Sequence, residues 1–205
     1  MKKISLFLLN CVFILSFSAI AYSEEGPYVS GNIGAAWLSN IDLSGPGLTY
    51  ELESNMGVSL GVALGYDLGN NIRIEGELAY QYNDLDKIAL LGGNPDANGD
   101  ASSSAFLLNF YYDFKNDTPF ITSITTGIGL ANAEIETFNA TGIPIGSFDD
   151  TAFAFQVGGG VGYAINKKVI IDFRYRYFKP AEMDIGTATA EYESHNIYFG
   201  IRFAL

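Results

Sequence analysis

Apolar and polar residues alternate with a period of two along eight segments of the chain. In the segment 194–205, every odd-numbered residue after His195 is bulky and apolar, and the even-numbered residues are small or polar. A β-strand places successive side chains on opposite faces, so this pattern is typical of a strand with one apolar face. The predicted strands cover residues 28–38, 55–67, 72–82, 104–114, 120–132, 151–163, 169–177 and 194–205.

The connections between these strands alternate in length. About four or five residues follow the second, fourth and sixth strands, and about fifteen to twenty follow the others. Short turns at one end and long loops at the other are the layout of outer-membrane barrels, whose long loops lie outside the cell. The predicted fold class is all-β: an eight-stranded antiparallel transmembrane up-and-down β-barrel.

A soluble barrel of the lipocalin type is the main alternative, since it also alternates over eight strands. There the bulky apolar groups would fill the interior, and an eight-stranded barrel has too little room for them. The opposite faces of the second and sixth predicted strands carry mainly Gly, Ala and Ser. Such small residues suit a crowded lumen, so the pattern favours the membrane barrel.

The first 23 residues have the composition of an export signal. Lys2 and Lys3 precede an apolar run from Ile4 to Ile20, and small residues follow it. We predict cleavage after Ser23, with a retained membrane helix as the alternative. Cys11 lies within the apolar run and lacks the small residues that precede a lipoprotein cleavage site.

The predicted mature chain, residues 24–205, is a single barrel domain. Removing 23 of 205 residues leaves 182, without cysteine, so a closed fold rather than disulfides must supply the stability. No further apolar run approaches the ~20 residues of a spanning helix. Loss of Lys2 and Lys3 changes the net charge from −12 to −14. This charge would repel phosphate and disfavours nucleic-acid binding.

Charged side chains occur on the inward face of several predicted strands, with equal numbers of each sign. They are Glu75, Glu77, Asp113, Asp172, Arg73, Arg174, Arg176 and Arg202. Charges in a narrow space are costly unless paired, which predicts a hydrogen-bonded network that plugs the lumen. We expect Arg73 near Asp113, and Asp172, Arg174 and Arg202 together. These pairs are either purely structural or part of a transport route.

Aromatic residues cluster toward the strand ends, as expected for rings at a bilayer interface. They are Tyr28, Trp37, Tyr66, Tyr80, Tyr82, Phe106, Phe120, Tyr163 and Tyr177. Individually, each is also explained by its preference for strands.

The long connections carry fifteen acidic and two basic residues, a net charge of −13. The candidate acidic rim comprises Glu51, Glu53, Asp84, Asp86, Asp149, Asp150, Glu191 and Glu193. Such a rim can bind divalent cations that bridge to lipopolysaccharide, or basic host or matrix partners. Alternatively, it only keeps the surface hydrated.

Several segments resemble the opacity-protein/surface-antigen family of small porin-like outer-membrane barrels. The resemblance rests on residues 107–114, 118–120 and 127–129, on 174–178, and on the opening 26–31. It implies an eight-stranded barrel of the outer membrane protein A type, assembled by the barrel-assembly machinery. Many such proteins end in Phe, whereas this chain ends in Leu205. Functions in the family include adhesion, immune evasion, structural support and minor pores.

Three functions follow as hypotheses: a surface protein or adhesin with a plugged lumen, a small channel for water, ions or small solutes, and a lipid-modifying barrel enzyme. The single histidine, His195, adjoins Ser194, but neighbouring strand residues point to opposite faces, which disfavours a nucleophile and its base. The glycine-rich run 158–162 lies within a strand and is not a phosphate-binding loop. No cofactor or metal site is expected.

Overall fold

The structure is a computed structural model that describes residues 25–39, 41–45, 48–88, 98–138, 144–185 and 188–205. Within these residues the chain forms twelve strands. In chain order they are β1 (Gly26–Leu38), β2 (Ile41–Gly45), β3 (Leu48–Ser54), β4 (Gly57–Asp67), β5 (Ile72–Ile88), β6 (Asn98–Phe114), β7 (Phe120–Phe138), β8 (Pro144–Ala164), β9 (Val169–Pro180), β10 (Met183–Ile185), β11 (Ala188–Glu191) and β12 (Ser194–Ala204). The predicted signal, residues 1–23, lies outside the described residues, and its cleavage stays a prediction.

Eight of these strands close into a barrel, which confirms the predicted fold class. Each pairs antiparallel with its neighbours in the order β1, β4, β5, β6, β7, β8, β9, β12, and β12 pairs with β1. Paired residues followed once around the barrel lead from Tyr28 to Leu38, ten positions further along β1. A stagger of ten over eight strands corresponds to a strand tilt of about 40°.

The outward face of the barrel is apolar and exposed. Val62 and Leu64 of β4 are 61% and 69% exposed, and Phe199 of β12 is 57% exposed. The inward face instead buries the polar and charged residues. This orientation suits acyl chains outside and is the reverse of a soluble lipocalin-like barrel. The described part of the chain contains no helix that is long and apolar enough to cross a membrane.

Three short turns lie at one end of the barrel, where β1 begins and β12 ends. Gly26 pairs with Asp67, beside the turn between β4 and β5. In that turn Gly69 and Asn71 have φ angles of 82° and 68°, a conformation that Gly and Asn adopt most readily. By the layout of outer-membrane barrels, this end faces the periplasm.

At the other end, four barrel strands continue well past the predicted strand ends. β5 and β7 run to Ile88 and Phe138, beyond the predicted ends at Tyr82 and Asn132. β6 and β8 begin at Asn98 and Pro144, before the predicted starts at Ser104 and Thr151. The prediction of long loops there was wrong, because the polarity of the two faces reverses. The inward side chains of Leu85 and Ala101 are buried, whereas the outward positions carry acids such as Asp84, so the apolar outward pattern stops.

The short strands complete this extension, which we call the extracellular tier. β3 pairs with β5, β2 with β3, β11 with β2, and β10 with β11. β10 lies beside β8. These four strands therefore take the places that β4, β1, β12 and β9 occupy within the barrel. The tier consists of β5 to β8 together with this short sheet.

The aromatic residues predicted at the interface lie on the outward face, with one exception. Phe120 and Tyr163, at the periplasmic end, pack with ring centroids 5.1 Å apart. Tyr28 was assigned wrongly, since it is 2% exposed and lies in the lumen. It pairs with Gly65, where a Cβ atom would collide with the Tyr28 ring, so the glycine makes room for it.

Candidate functional site

Two ion pairs lie toward the periplasmic end of the lumen. The Arg73 guanidinium donates to both carboxylate oxygens of Asp113, with Nε–Oδ2 and Nη2–Oδ1 distances of 2.7 and 2.9 Å. Arg202 Nη2 lies 3.1 Å from Asp172 Oδ1. In each pair the partners come from adjacent strands, β5 and β6 or β9 and β12. All four side chains are buried, so each charge depends on its partner for compensation.

A third pair lies in the middle of the lumen. Arg176 Nη2 lies 2.7 and 2.5 Å from the two carboxylate oxygens of Glu77. Asn109 donates to Glu77 Oε2 at 2.6 Å, and Gln156 donates to Asn109 Oδ1 at 2.9 Å. The pair therefore joins opposite walls of the barrel, β5 and β9. The side-chain amides of Asn109 and Gln156 extend the hydrogen bonding from Glu77.

Glu75 is compensated differently, through hydroxyl groups. It accepts hydrogen bonds from Tyr28 at 3.0 Å and Tyr111 at 3.1 Å. Arg73 donates to the Tyr28 hydroxyl at 3.1 Å, and Arg174 donates to the Tyr111 hydroxyl at 2.5 Å. Each tyrosine thus accepts from an arginine and donates to the same carboxylate, so two positive charges act on Glu75 without contacting it.

Arg174 has different partners from those we expected. Besides Tyr111 it contacts the side-chain oxygen of Asn32, while Asp172 bonds to Arg202. Tyr111 lies between two guanidinium groups, with Arg73 and Arg174 centred 4.2 and 5.8 Å from its ring centroid. The tyrosine rings therefore separate the arginines as well as linking them.

Sequence reasoning missed several polar contacts toward the two ends of the lumen. At the periplasmic mouth, Lys115 Nζ lies 3.4 Å from Asp67 Oδ2. Toward the extracellular end, Ser194 donates to Gln81 at 3.1 Å, and Gln81 donates to Asn83 at 2.9 Å. The inward position of Asp67, one residue before a turn, was the available signal for the first of these contacts.

Many of the acidic rim residues lie on strands rather than in loops, which corrects their predicted setting. Asp84 of β5 pairs with Asp100 of β6, which pairs with Glu136 of β7. Glu134 of β7 pairs with Asp149 of β8. Strand alternation puts these five side chains on the outward face, where we call them the acidic rows. Like charges in register repel each other.

The remaining rim residues are more scattered. Asp150 accepts a hydrogen bond from the Thr151 backbone N–H at 2.7 Å. Glu191 of β11 forms an exposed ion pair of 3.7 Å with Lys179. The backbones of Glu51, Glu53 and Asp86 lie in β3 and β5, and their side chains are outside the described part.

Glu193 lies above the spanning strands, in the connection between β11 and β12. It accepts hydrogen bonds from the hydroxyl of Tyr177 and, at 3.4 Å, from that of Ser39. The Tyr177 hydrogen bond is the main reason that the pKa of the Glu193 carboxyl is lowered, with Lys179 and Ser39 adding to the effect. Glu193 therefore ties the tier to the outer surface of the barrel.

His195 and Ser194 point to opposite sides of β12, as the strand pattern predicts. His195 Nδ1 lies 2.7 Å from the Tyr175 hydroxyl on the outward face. The Ser194 hydroxyl donates to Gln81 inside the lumen. They cannot act on the same atom. Among the described residues, no group of three or more His, Cys, Asp or Glu side chains is arranged to hold a metal ion.

The closed antiparallel barrel, its apolar outward face and its filled lumen define a small outer-membrane β-barrel. The family described as outer membrane protein beta-barrel domain matches residues 7–203. The chain therefore belongs to that family and is a protein of the outer membrane. The resemblance to small outer-membrane barrels noted in the sequence is confirmed at this level.

Individual relatives agree with this assignment. The outer membrane protein PagN of Salmonella typhimurium is 27% identical over 221 residues, covering 90% of this chain and 87% of its own. A candidate adhesin of Rickettsia prowazekii is 20% identical over 225 residues, with full coverage of both chains.

Solved structures share the fold at lower sequence identity. OprG from Pseudomonas aeruginosa is 14% identical, with a TM-score of 0.54 and coverage of 92% of this chain and 100% of its own. Neisserial surface protein A is 20% identical, with a TM-score of 0.52 and coverage of 88% and 97%.

The buried pair of Arg73 and Asp113 gives a first prediction. Asp113→Leu leaves the Arg73 charge buried without its ion-pair partner and should lower the free energy of unfolding by about 3–5 kcal/mol. The double variant Arg73→Met, Asp113→Leu should recover most of that loss. Urea unfolding in lipid vesicles measures both. In the control, Lys179→Met breaks an exposed pair and should cost less than about 1 kcal/mol. An equal effect of Asp113→Leu and Lys179→Met would contradict the prediction.

Glu193 gives a second prediction. Tyr177→Phe removes the hydrogen bond that lowers the Glu193 pKa, so this pKa should rise toward the ordinary value of a glutamate. Because the native pKa is lowered, the interaction stabilises the fold above the ordinary pKa, and the stabilisation disappears as the pH falls through the lowered pKa. Carboxyl-carbon NMR titration of the protein in nanodiscs measures the pKa. Tyr175→Phe, which removes the partner of His195 instead, is the control and should leave the Glu193 pKa unchanged. An unaltered Glu193 pKa in Tyr177→Phe would refute the assigned cause.

Proposed function

We propose that this outer-membrane protein is an adhesin-like surface protein, whose extracellular tier contacts basic partners on a host or matrix surface. The observation that carries the proposal is the pair of acidic rows on the outward face of β5 to β8. They stand on long paired strands, so the backbone that carries the carboxylates is held in place before a partner arrives. A preorganised surface loses less conformational entropy on binding than flexible loops do.

The partner class follows from the repulsion within the rows. Asp84, Asp100 and Glu136 are direct cross-strand neighbours. Asp84 accepts a hydrogen bond from the Tyr82 hydroxyl at 3.1 Å, but this donor is neutral and does not compensate the negative charge. A lysine- or arginine-rich surface placed over the rows would relieve this repulsion. The negative electrostatic potential of the rows would also attract such a surface from a distance.

The relatives support an adhesive role. The Rickettsia prowazekii relative is named as a candidate adhesin, and PagN is named as an outer membrane protein. The lumen gives a further reason to look for function on the outside of the barrel. Three buried ion pairs and the hydroxyl relays on Glu75 occupy it from wall to wall. A small channel, the competing function, would require several of these contacts to open together.

We also propose that the role is not enzymatic. The hydrogen bonds of Ser194 and His195 lie on opposite faces of the barrel wall. The carboxylates of the lumen network are hydrogen-bonded to arginines or hydroxyl groups, as Glu77 is to Arg176. The other partners stay predictions: lipopolysaccharide, reached through cations at the rows, and the barrel-assembly machinery during biogenesis. Export through a cleaved signal peptide is part of the same proposal.

A binding experiment tests the acidic rows. Protein in nanodiscs should bind a poly-L-lysine surface, and raising the salt concentration should weaken this binding by screening. The triple variant Asp84→Asn, Asp100→Asn, Glu136→Gln should bind about tenfold more weakly, because it removes charge without removing volume.

The control is Glu25→Gln with Asp117→Asn, which neutralises two exposed acids at the periplasmic end, against the three that the triple variant neutralises. This control should bind poly-L-lysine nearly as the parent does. Equal weakening by both variants would show that total charge alone matters. If the triple variant binds as tightly as the parent, the rows are not the contact surface.

A further inference from the structure

The polar side chains of the upper lumen form two separate hydrogen-bonded groups. In the lower group, Arg176 donates to the Tyr198 hydroxyl at 3.4 Å, and that hydroxyl lies 2.5 Å from Ser59 Oγ. In the upper group, Asn196 donates to the Ser194 hydroxyl at 3.0 Å, and Ser194 donates to Gln81 at 3.1 Å. The lower group is anchored to the Arg176–Glu77 ion pair, whereas the upper group is made of neutral amides and hydroxyls.

A small cavity lies where the two groups meet. Its volume is about 20 Å³. Its lining includes six inward-facing polar side chains, those of Ser59, Arg176, Tyr198, Gln81, Ser103 and Asn196. All six side chains are buried. A water molecule needs about 10–15 Å³ of such space and two or more polar partners, so the cavity meets both requirements for one water.

Asn196 supplies an independent sign of a missing partner. The residue is 1% exposed, and its Oδ1 atom has no hydrogen-bond partner among the described residues. A buried acceptor without a donor is unfavourable, because it has lost its hydrogen bonds to water. Turning the amide around would leave Nδ2 without a partner instead. Either orientation of the Asn196 amide therefore calls for a further polar molecule.

We propose that this cavity binds one water molecule, which donates to Asn196 Oδ1 and bonds to the hydroxyls of Ser59, Ser103 or Tyr198. Hydroxyl groups both donate and accept, so the water can satisfy its remaining bonds there. It joins the upper and lower groups into one network. A small anion fits less well, because Asn196 Oδ1 needs a donor.

The water has a consequence for the lumen as a whole. Below it, the Arg176–Glu77 pair closes the passage with charge. Above it, the described side chains that bond to the cavity lining are neutral, and Tyr192 donates to Ser103 at 3.1 Å.

The test uses the full barrel in lipid nanodiscs and NMR cross-relaxation between water and side-chain amides. The Asn196 amide protons should show a direct cross peak to water. Asn109 is the internal control: it is equally buried, and both its amide oxygen and its nitrogen have protein partners, Gln156 and Glu77. Its amide should show no such cross peak. Absence of the peak at Asn196, or an equal peak at Asn109, would overturn the proposal.

A variant checks the location of the water. Ser103→Val fills part of the cavity with methyl groups and removes one polar partner. The water cross peak of Asn196 should then disappear, while the barrel's other backbone amide resonances keep their positions. A peak of unchanged strength in Ser103→Val would place the water outside the cavity and would contradict the proposal. If that variant does not fold, the comparison of Asn196 with Asn109 in the parent protein decides alone.

Discussion

The bilayer allows this chain no unpaired backbone polar group, and the rest of the structure depends on that constraint. Closure of eight strands satisfies the backbone, but it also produces a narrow cylinder. Half of the strand side chains must then share that interior. The charged ones, such as Glu77 and Arg176, are stable there only because each lies within bonding distance of an opposite charge or a relay.

The relays explain why tyrosine and glycine recur on the inward faces. Tyr28 and Tyr111 fill volume, carry hydrogen bonds from arginine to Glu75, and keep the guanidinium groups apart. Space for such large rings comes from glycines on neighbouring strands, as Gly65 shows opposite Tyr28. The same inward face thus alternates between very large and very small side chains. Above the bilayer this restriction ends, and the tier strands carry carboxylates on their outward face instead.

The pattern of single strands predicted most of the barrel, because burial on one face requires a period of two. It also predicted the inward position of eight of the nine charged residues that the described part of the barrel buries, and it missed Asp67. It did not predict partners across the barrel. Arg174 reaches Asn32 over 142 positions of sequence, and a ten-residue stagger decides which side chains meet at one level. A strand pattern contains no information on that stagger.

The tier escaped prediction for a different reason. Its strands meet water on one or both faces, so Asp84 and Asp100 give no apolar rhythm, and a loop was the natural interpretation. For the same reason, the acidic residues were predicted to lie in loops, whereas many of them lie on paired strands. The prediction for Tyr28 was wrong because it relied on the position of this residue at a strand end. Its even-numbered position in β1 places it on the inward face, together with Ser30 and Asn32.

Planar-bilayer recording tests the central claim, that compensated charges fill the lumen. The parent protein should insert without producing stable conductance steps. A double variant, Glu77→Gly with Arg176→Gly, should produce such steps, because it empties the middle of the lumen and removes both members of an ion pair. This variant is also the positive control for insertion into the bilayer. Reproducible single-channel steps from the parent protein, equal to those of the double variant, would contradict the account.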